Sequence, residues 1–496
     1  MQSNPKTKMK VVVAGGGTSG WLAAAALKQQ LGDSIELTLV ESSDIGTVGV
    51  GEATIPPMKT FHRLLRIDER EFMRATNATF KLGIQFESWK ELGDKYFHSF
   101  GTTGKDTLIT EFIHFWLRGR ELGIAKDFGD YCVEYKAALE GRCSAKEGAP
   151  LNYAFHLDAG LYAQFLQKRA EAAGAKRVEG KIVDVIQDVN TGYINRLTLD
   201  SGDVVDGDLF IDCTGFRGLL IEQTLHSGFE DWSHWLPCNR AVAIQTEAVS
   251  PPPPYTRSVA HNAGWRWQIP LQNRVGNGSV YCSHYMSDDE AAKHLLEEVE
   301  GKPLTEPKFL QFKTGRRRQC WNKNCVAIGL SSGFIEPLES TSIHLAMTAI
   351  TRLLQLFPSG GICQSVINEY NRQADTEIER IRDFIILHYK ATERRDSRFW
   401  RYCGQMKIPE ELAHRINLFR ESGKSYQVES ELFRLDSWMQ VMLGQGIVPE
   451  SYHPIVSTME ARELKAVLGN IESHVNQSVS ALSRHDEFLK LYCSSL

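Results

Sequence analysis

From the N-terminus, apolar positions form a buried-strand pattern (MKVVVAG, 9–15), an alanine-rich helical run (GWLAAAALKQQL, 20–31) and a second strand (IELTLVE, 35–41). Strand, helix and strand at this spacing make a βαβ unit and imply a parallel sheet. Segment 181–213 alternates as two or three further strands, and VVDGDLFIDCTG closes on another glycine turn. Between 240 and 285 the runs AVAIQTE, WRWQIPL and SVYCSHY are interrupted by Pro251–Pro254, which predicts an antiparallel sheet with a polyproline connection. NCVAIGL returns to strand, followed by the loop SSGFIEPLES and a long apolar helix, SIHLAMTAITRLLQLF, that stops at Pro358. Beyond about 365 the chain reads as mostly helical, with no internal repeat.

The fold class expected is therefore α/β: a dinucleotide-type βαβ unit, an additional antiparallel sheet and a mostly helical C-terminal part. The expected division is a discontinuous cofactor module over 1–380, carrying inserted substrate-side segments, and a helical substrate module over 381–496. A chain of 496 residues is long enough for such a two-domain enzyme.

Charge narrows the partners. The net charge of -5 is small, and Lys and Arg alternate with Asp and Glu, so no basic stripe for nucleic acid or an anionic membrane is present. Small molecules or proteins are the expected partners, with a homodimer left open. No apolar run reaches the roughly 18 to 20 residues of a membrane span, and MQSNPKTKMK leads directly into a strand, so the chain reads as cytoplasmic. Its ten cysteines are scattered without a CxxC pair or a Cys/His cluster, which predicts reduced thiols and no metal site.

Gly15, Gly17 and Gly20 form GxGxxG between strand and helix. Without Cβ atoms they permit a tight turn, close approach of backbone to a pyrophosphate and close helix–sheet packing, and the phosphates meet a helix N-terminus through the loop residues Thr18 and Ser19. Glu41 ends the next strand 21 residues after Gly20, where a carboxylate accepts hydrogen bonds from a ribose. Spacing alone does not separate FAD from NAD. The second glycine-rich stretch GTVGVGEATIPP (46–57, with Gly51 and Ala53) and the later strand-end turns at 212–215 and 329–333, with Leu330, favour the longer FAD. An extended cofactor must be held along its length.

Several further motifs resemble the flavin-dependent halogenases of the tryptophan halogenase type. They are GGGTSGW (15–21), VGVGEATIPP (48–57), the lysine in NATFKLGIQF (77–86), GWRWQIP (264–270), GFIEPLESTSI (333–343), HYKATERRDSRFW (388–400) and LGQGIVPESYHP (443–454). The resemblance covers most of the chain, and WxWxIP is its most specific element. It implies an FAD-dependent monooxygenase-like fold. It also implies that FADH2 from a separate NAD(P)H-dependent reductase reacts with O2 and a halide ion to give hypohalous acid, which the protein confines and passes to a lysine beside an aromatic substrate.

Residue by residue, the resemblance places Lys81 as that lysine; burial makes a neutral, nucleophilic amine accessible. Taken without the family, Lys81 in an alternating segment would face solvent. Glu339, with Ser340 beside it, matches the glutamate that orients the halogenating species or takes the proton of the arenium ion. The same EPLEST segment also suits a helix start with Ser340 or Thr341 as N-cap. Backbone N–H groups at that start make Thr341 and Ser342 halide-site candidates, and Ile343 a flavin neighbour. Many relatives carry Gly at the position of Ser342, so chloride versus bromide stays open, with acceptance of both and easier use of bromide expected. Trp265, Trp267 and Pro270 are expected to wall the space between flavin and substrate, or else to be buried strand aromatics. His98 and Phe100 resemble the family's substrate-stacking segment at a shorter spacing from Lys81; a surface-loop histidine is the competing reading.

Trp438-Met439 stands where enzymes for free tryptophan place polar residues. An apolar pair binds a zwitterion poorly, so indole, a substituted indole or another electron-rich arene is expected. A flavin monooxygenase hydroxylating an aromatic substrate and a non-catalytic FAD-binding protein are the competing functions.

Overall fold

The computed structural model describes residues 8–44, 51–145, 151–358 and 360–493. It contains two compact units, each assembled from three separated stretches: 1–77, 157–234 and 312–378 in one, and 78–156, 235–311 and 379–496 in the other.

The first unit is built on the predicted βαβ. Strand Met9–Ala14 lies between the parallel strands Ile35–Glu41 and Leu209–Asp212, with Val11 aligned to Leu37 on one side and to Leu209 on the other. A strand is apolar where it is paired and covered on both sides, and Val11 to Ala14 are buried while Lys10 at its start is exposed. Cys325–Ala327 and Lys176–Glu179 extend the sheet in parallel, and Trp321–Asn322 adds an antiparallel edge. Helix Thr18–Leu31 buries nine residues from Gly20 to Lys28, because it packs on the sheet and on helices Ala159–Ala172 and Ser342–Gln355.

In the second unit seven strands form one sheet in the order Lys308–Gln311, Arg240–Thr246, Val275–Tyr281, Gly264–Pro270, Thr256–His261, Gly83–Glu87 and Lys95–Ser99. It is antiparallel as the alternation predicts, except that Thr256–His261 runs parallel to Gly83–Glu87. Period-2 alternation places Trp265, Trp267 and Ile269 on one face and Arg266, Gln268 and Pro270 on the other. The apolar face meets the helical C-terminal part, where Phe384, His388 and Trp438 are buried. All ten cysteines are free, and no group of metal-holding side chains occurs among the described residues. No helix among them is long and apolar enough to cross a membrane.

Candidate active site

In the first unit, the carboxyl ends of the parallel strands bring the nucleotide-type residues together. Gly15 adopts φ +109°, and its N–H donates to the Val40 carbonyl at 2.8 Å. A Cβ on Gly15 would lie 2.3 Å from the Cys213 carbonyl oxygen, and one on Gly20 would lie 1.9 Å from that of Gly15. Only glycine fits either place. A Cβ on Gly17, by contrast, would meet nothing within 4 Å, at the N-cap of a helix whose first turn receives no side-chain cap. Its open side and the bare helix N–H groups suit a diphosphate.

Gly16 is the residue that spacing arguments overlook: a Cβ there would stand 1.5 Å from Glu41 Oε2. Glu41 is fixed further by the Trp21 indole, which donates to Oε2 at 3.2 Å, and by Arg177, whose Nε lies 2.5 Å from Oε1. Neither partner was legible from the motif, although Trp21 follows it directly. The carboxylate is thus oriented at the strand end while retaining lone pairs for a ribose.

Asp212 organises the next strand end. It is fully buried and accepts from Thr214 N–H, Thr214 Oγ1, Leu220 N–H and Ile221 N–H at 2.6 to 2.9 Å. Its carbonyl accepts from Ile328 N–H and from the Ser331 hydroxyl. The predicted turns at 212–215 and 329–333 are thereby tied together, and Gly329, φ +73°, leaves room for Ser19. Leu330 sits in that second turn. Gly51 and Ala53 are buried in a short strand that includes Glu52, whose carboxyl burial pushes up to about 7. Residues 46–50 of the second glycine stretch lie outside the described residues.

The segment after Gly333–Phe334 is anchored by a small sheet with Gly315–Arg317 and Phe229–Asp231. Phe334 packs on Phe216 and Phe312. The chain then makes a tight turn over Pro337–Glu339, passes through Ser340 in the left-handed region (φ 60°, ψ 37°) and enters helix Ser342–Gln355. Glu339 is wholly buried, as is Glu336 three residues before it, which the motif did not single out. The N-cap position belongs to Thr341, not Ser340, and its side chain makes no cap bond: Oγ1 is buried without a hydrogen-bond partner among the described residues. Ile343 is buried in the first turn. Glu377 accepts from Arg352 at 2.6 Å and lies 3.5 Å from His344, which fixes the helix from behind.

In the second unit Lys81 ends the strand Thr79–Lys81, pairs with Ala154 and has no solvent exposure. The solvent-facing reading is corrected, because this strand is covered from both sides. Nζ stands 5.2 Å from the centre of the Phe100 ring. The main chain holds the two together, since Phe100 N–H donates to the Leu82 carbonyl at 2.9 Å. His98 is no surface-loop residue: it is buried in strand Lys95–Ser99, opposite Ile84, against Phe384 and Phe433 at 5.6 and 6.2 Å. Trp438 reaches the same cluster through Phe384 at 4.9 Å, and its other side is covered by the Arg415 guanidinium, itself paired with Glu431.

Trp265 and Trp267 share one face with ring centres 6.0 Å apart. Trp265 belongs to a packed group with Trp89, which in turn meets Tyr389 and Trp400. Trp267 lies across Gly278, where a Cβ would fall 2.0 Å from its ring, and its buried indole N–H has no hydrogen-bond partner among the described residues. Pro270 is on the opposite face, lining a cavity of about 340 Å³ with Gln268, Arg257 and Tyr255. Asp436 and Gln440 were not predicted. From one face of helix Leu435–Gly444 they accept from Thr103 N–H at 2.8 Å and Ser99 N–H at 2.7 Å, fixing the loop that carries Phe100.

A parallel sheet whose strand ends converge on a glycine turn, an oriented acid and a bare helix start defines a dinucleotide-cofactor enzyme of the α/β class. The family model described as "Tryptophan halogenase" matches residues 10–461. Tryptophan 7-halogenase RebH of Lentzea aerocolonigenes is 34% identical, the match covering 97% of this chain and 98% of that one. Xcc4156, a flavin-dependent halogenase from Xanthomonas campestris, has a solved structure that is 54% identical, with 99% of each chain covered and a TM-score of 0.97. BrvH, a flavin-dependent halogenase from Brevundimonas sp. BAL3, is 43% identical with a TM-score of 0.94, covering 98% of this chain and all of that one. The chain belongs to the tryptophan halogenase family and is a flavin-dependent halogenase.

Proposed function

We propose that the protein halogenates indole or another electron-rich arene, with Lys81 presenting the electrophilic halogen. The observation that carries this reading is a lysine with no solvent exposure, held beside Phe100 in a chain of this family. Burial of an amine without purpose is costly.

The glycine turn, the N-terminus of helix Thr18–Leu31 and Glu41 fit FAD, and the glycine whose Cβ would meet no protein atom supports that fit. Reduced FAD, supplied by a separate NAD(P)H-dependent reductase, provides the O2 chemistry that converts a halide to hypohalous acid. Backbone N–H groups of Thr341 and Ser342 are the candidates for holding the halide, chloride or bromide, with the buried Thr341 hydroxyl adding a donor. Lys81 then holds hypohalous acid by hydrogen bonding or carries the halogen on its neutral amine. The arene carbon attacks the halogen, whose bond to oxygen breaks, or its bond to the Lys81 nitrogen where HOX has first released water on forming the haloamine; Glu339 takes the ring proton, and overall Ar–H and HOX become Ar–X and water.

The buried pair Trp438 and Met439 supports a neutral arene over free tryptophan. Purified protein incubated with FAD, a flavin reductase, NADH, bromide and either indole or tryptophan tests this. Brominated indole, recognised by its isotope doublet, is expected in excess over brominated tryptophan, and Lys81→Ala should reduce it by about a hundredfold or more. Oxygen incorporation without bromine, or full bromination by Lys81→Ala, overturns the proposal.

A further inference from the structure

The strand that carries Lys81 is only three residues long, too short to be positioned by its own ladder, yet every residue around the lysine is tied down from outside it. Thr79 Oγ1 donates to the Pro270 carbonyl at 2.7 Å. A hydroxyl has one proton, so the contact of 2.9 Å between Thr79 Oγ1 and His156 Nδ1 places the proton on Nδ1. Nε2 of the neutral ring is then the acceptor for Thr256 Oγ1, also at 2.9 Å. One residue on, Phe80 N–H donates to His485 Nε2 at 3.3 Å, which leaves His485 Nδ1–H for the Pro252 carbonyl at 2.7 Å. Past the lysine, Leu82 N–H donates to the Pro254 carbonyl at 2.8 Å.

His485 therefore uses one donor and one acceptor, a combination only the neutral ring provides, and complete burial keeps the His156 ring neutral as well. Both are buried at 1% exposure or less. Burial, then the neighbouring charge of Lys81, then His485 hold His156 well below the ordinary histidine range; burial lowers His485 to about 4.

We propose that His156 and His485 are positioning residues for Lys81, clamping its strand to the carbonyls of Pro270 and Pro252. This rests on the role given to Lys81 above. The last residue of WRWQIP acquires a purpose: its carbonyl is the anchor of the strand two residues ahead of the reacting amine. A misplacement of about 1 Å costs up to about a hundredfold in rate, and it also lets hypohalous acid escape.

The test compares wild type with His156→Leu, His156→Asn, Thr79→Val, Thr79→Ser and Lys81→Ala, as full chains loaded with FAD and supplied with a reductase and bromide. Three quantities are measured: bromination of indole, hypobromous acid trapped by an added cyclic 1,3-diketone per NADH consumed, and FAD affinity. His156→Leu and Thr79→Val should lose tenfold or more in indole bromination and release more trappable acid, with FAD affinity unchanged. His156→Asn and Thr79→Ser, which keep a polar group at the same place, should recover much of the loss. Thr79→Val is nearly isosteric and reads the same link should His156→Leu not fold. Wild-type bromination and trapping in Thr79→Val overturn the inference, as does a loss that parallels FAD affinity. Unimpaired bromination by Lys81→Ala instead overturns the underlying role of the lysine.

Discussion

Gly16 cannot become alanine without displacing Glu41, since the new methyl would stand 1.5 Å from the carboxylate. Gly16→Ala should weaken FAD binding by about tenfold or more, equivalent to at least about 1.4 kcal/mol, measured by flavin fluorescence titration. Gly17→Ala should leave the apoprotein's melting temperature unchanged, because its Cβ meets no protein atom. Glu52 sets a second expectation. Its carboxyl is raised to about 7 by burial, so it changes charge within the working range. An apparent pKa near 7 in FAD affinity should disappear in Glu52→Gln.

Among elements, the strand end at Asp212 and the cross-strand pair Trp267–Gly278 carry the most weight. Asp212→Ala would leave the N–H groups of Thr214, Leu220 and Ile221 without their acceptor, each costing about 1–3 kcal/mol when buried. The variant should lose FAD binding before it loses secondary structure, seen by comparing flavin fluorescence with far-UV circular dichroism. Gly278→Val would drive a side chain into the indole of Trp267. A destabilisation of about 1–3 kcal/mol and a shifted tryptophan emission maximum are expected. Element boundaries were largely legible: the βαβ at 9–41 follows from strict local periodicity and a glycine turn, and the sheet at 240–285 from alternation. Helix Ser342–Gln355 was legible too, and its N-cap was narrowed to Ser340 or Thr341; the structure chose Thr341, because Ser340 is turned into the left-handed region after the proline turn.

For the whole molecule, buried neutral histidines set the response to acid. His62 and His261 are lowered to about 3 and His485 to about 4, in each case first by burial. For a lowered histidine the unfolded chain binds the proton first. Stability is full above about pH 6.5 and falls as pH drops towards the folded values, by up to about 1.4 kcal/mol per pH unit for each group. Glu52 acts oppositely, losing stability as pH rises from 4.5 to about 7, as do the carboxyls of Asp94, Glu134, Asp383 and Asp436, which burial also raises, whereas His114 and His156, lowered by burial, add to the histidine side. The melting temperature should therefore be higher at pH 7.5 than at pH 5.5, and His485→Gln should reduce that difference.

The sequence by itself determined what short-range physics encodes. Glycines needed for a turn, an acid at the end of the following strand, a period of two or of 3.6, and motifs resembling a family all lie within a few dozen consecutive residues. Tertiary structure alone decided what distant segments do to one another. It buried Lys81 that local alternation left facing solvent, set Arg177 on Glu41, and split Trp265 and Trp267 from Pro270 across a sheet. It also brought His485 to Phe80 across 405 residues of chain. Side chains that act only as partners leave no periodic trace, because a hydrogen bond fixes geometry in space and not spacing in sequence.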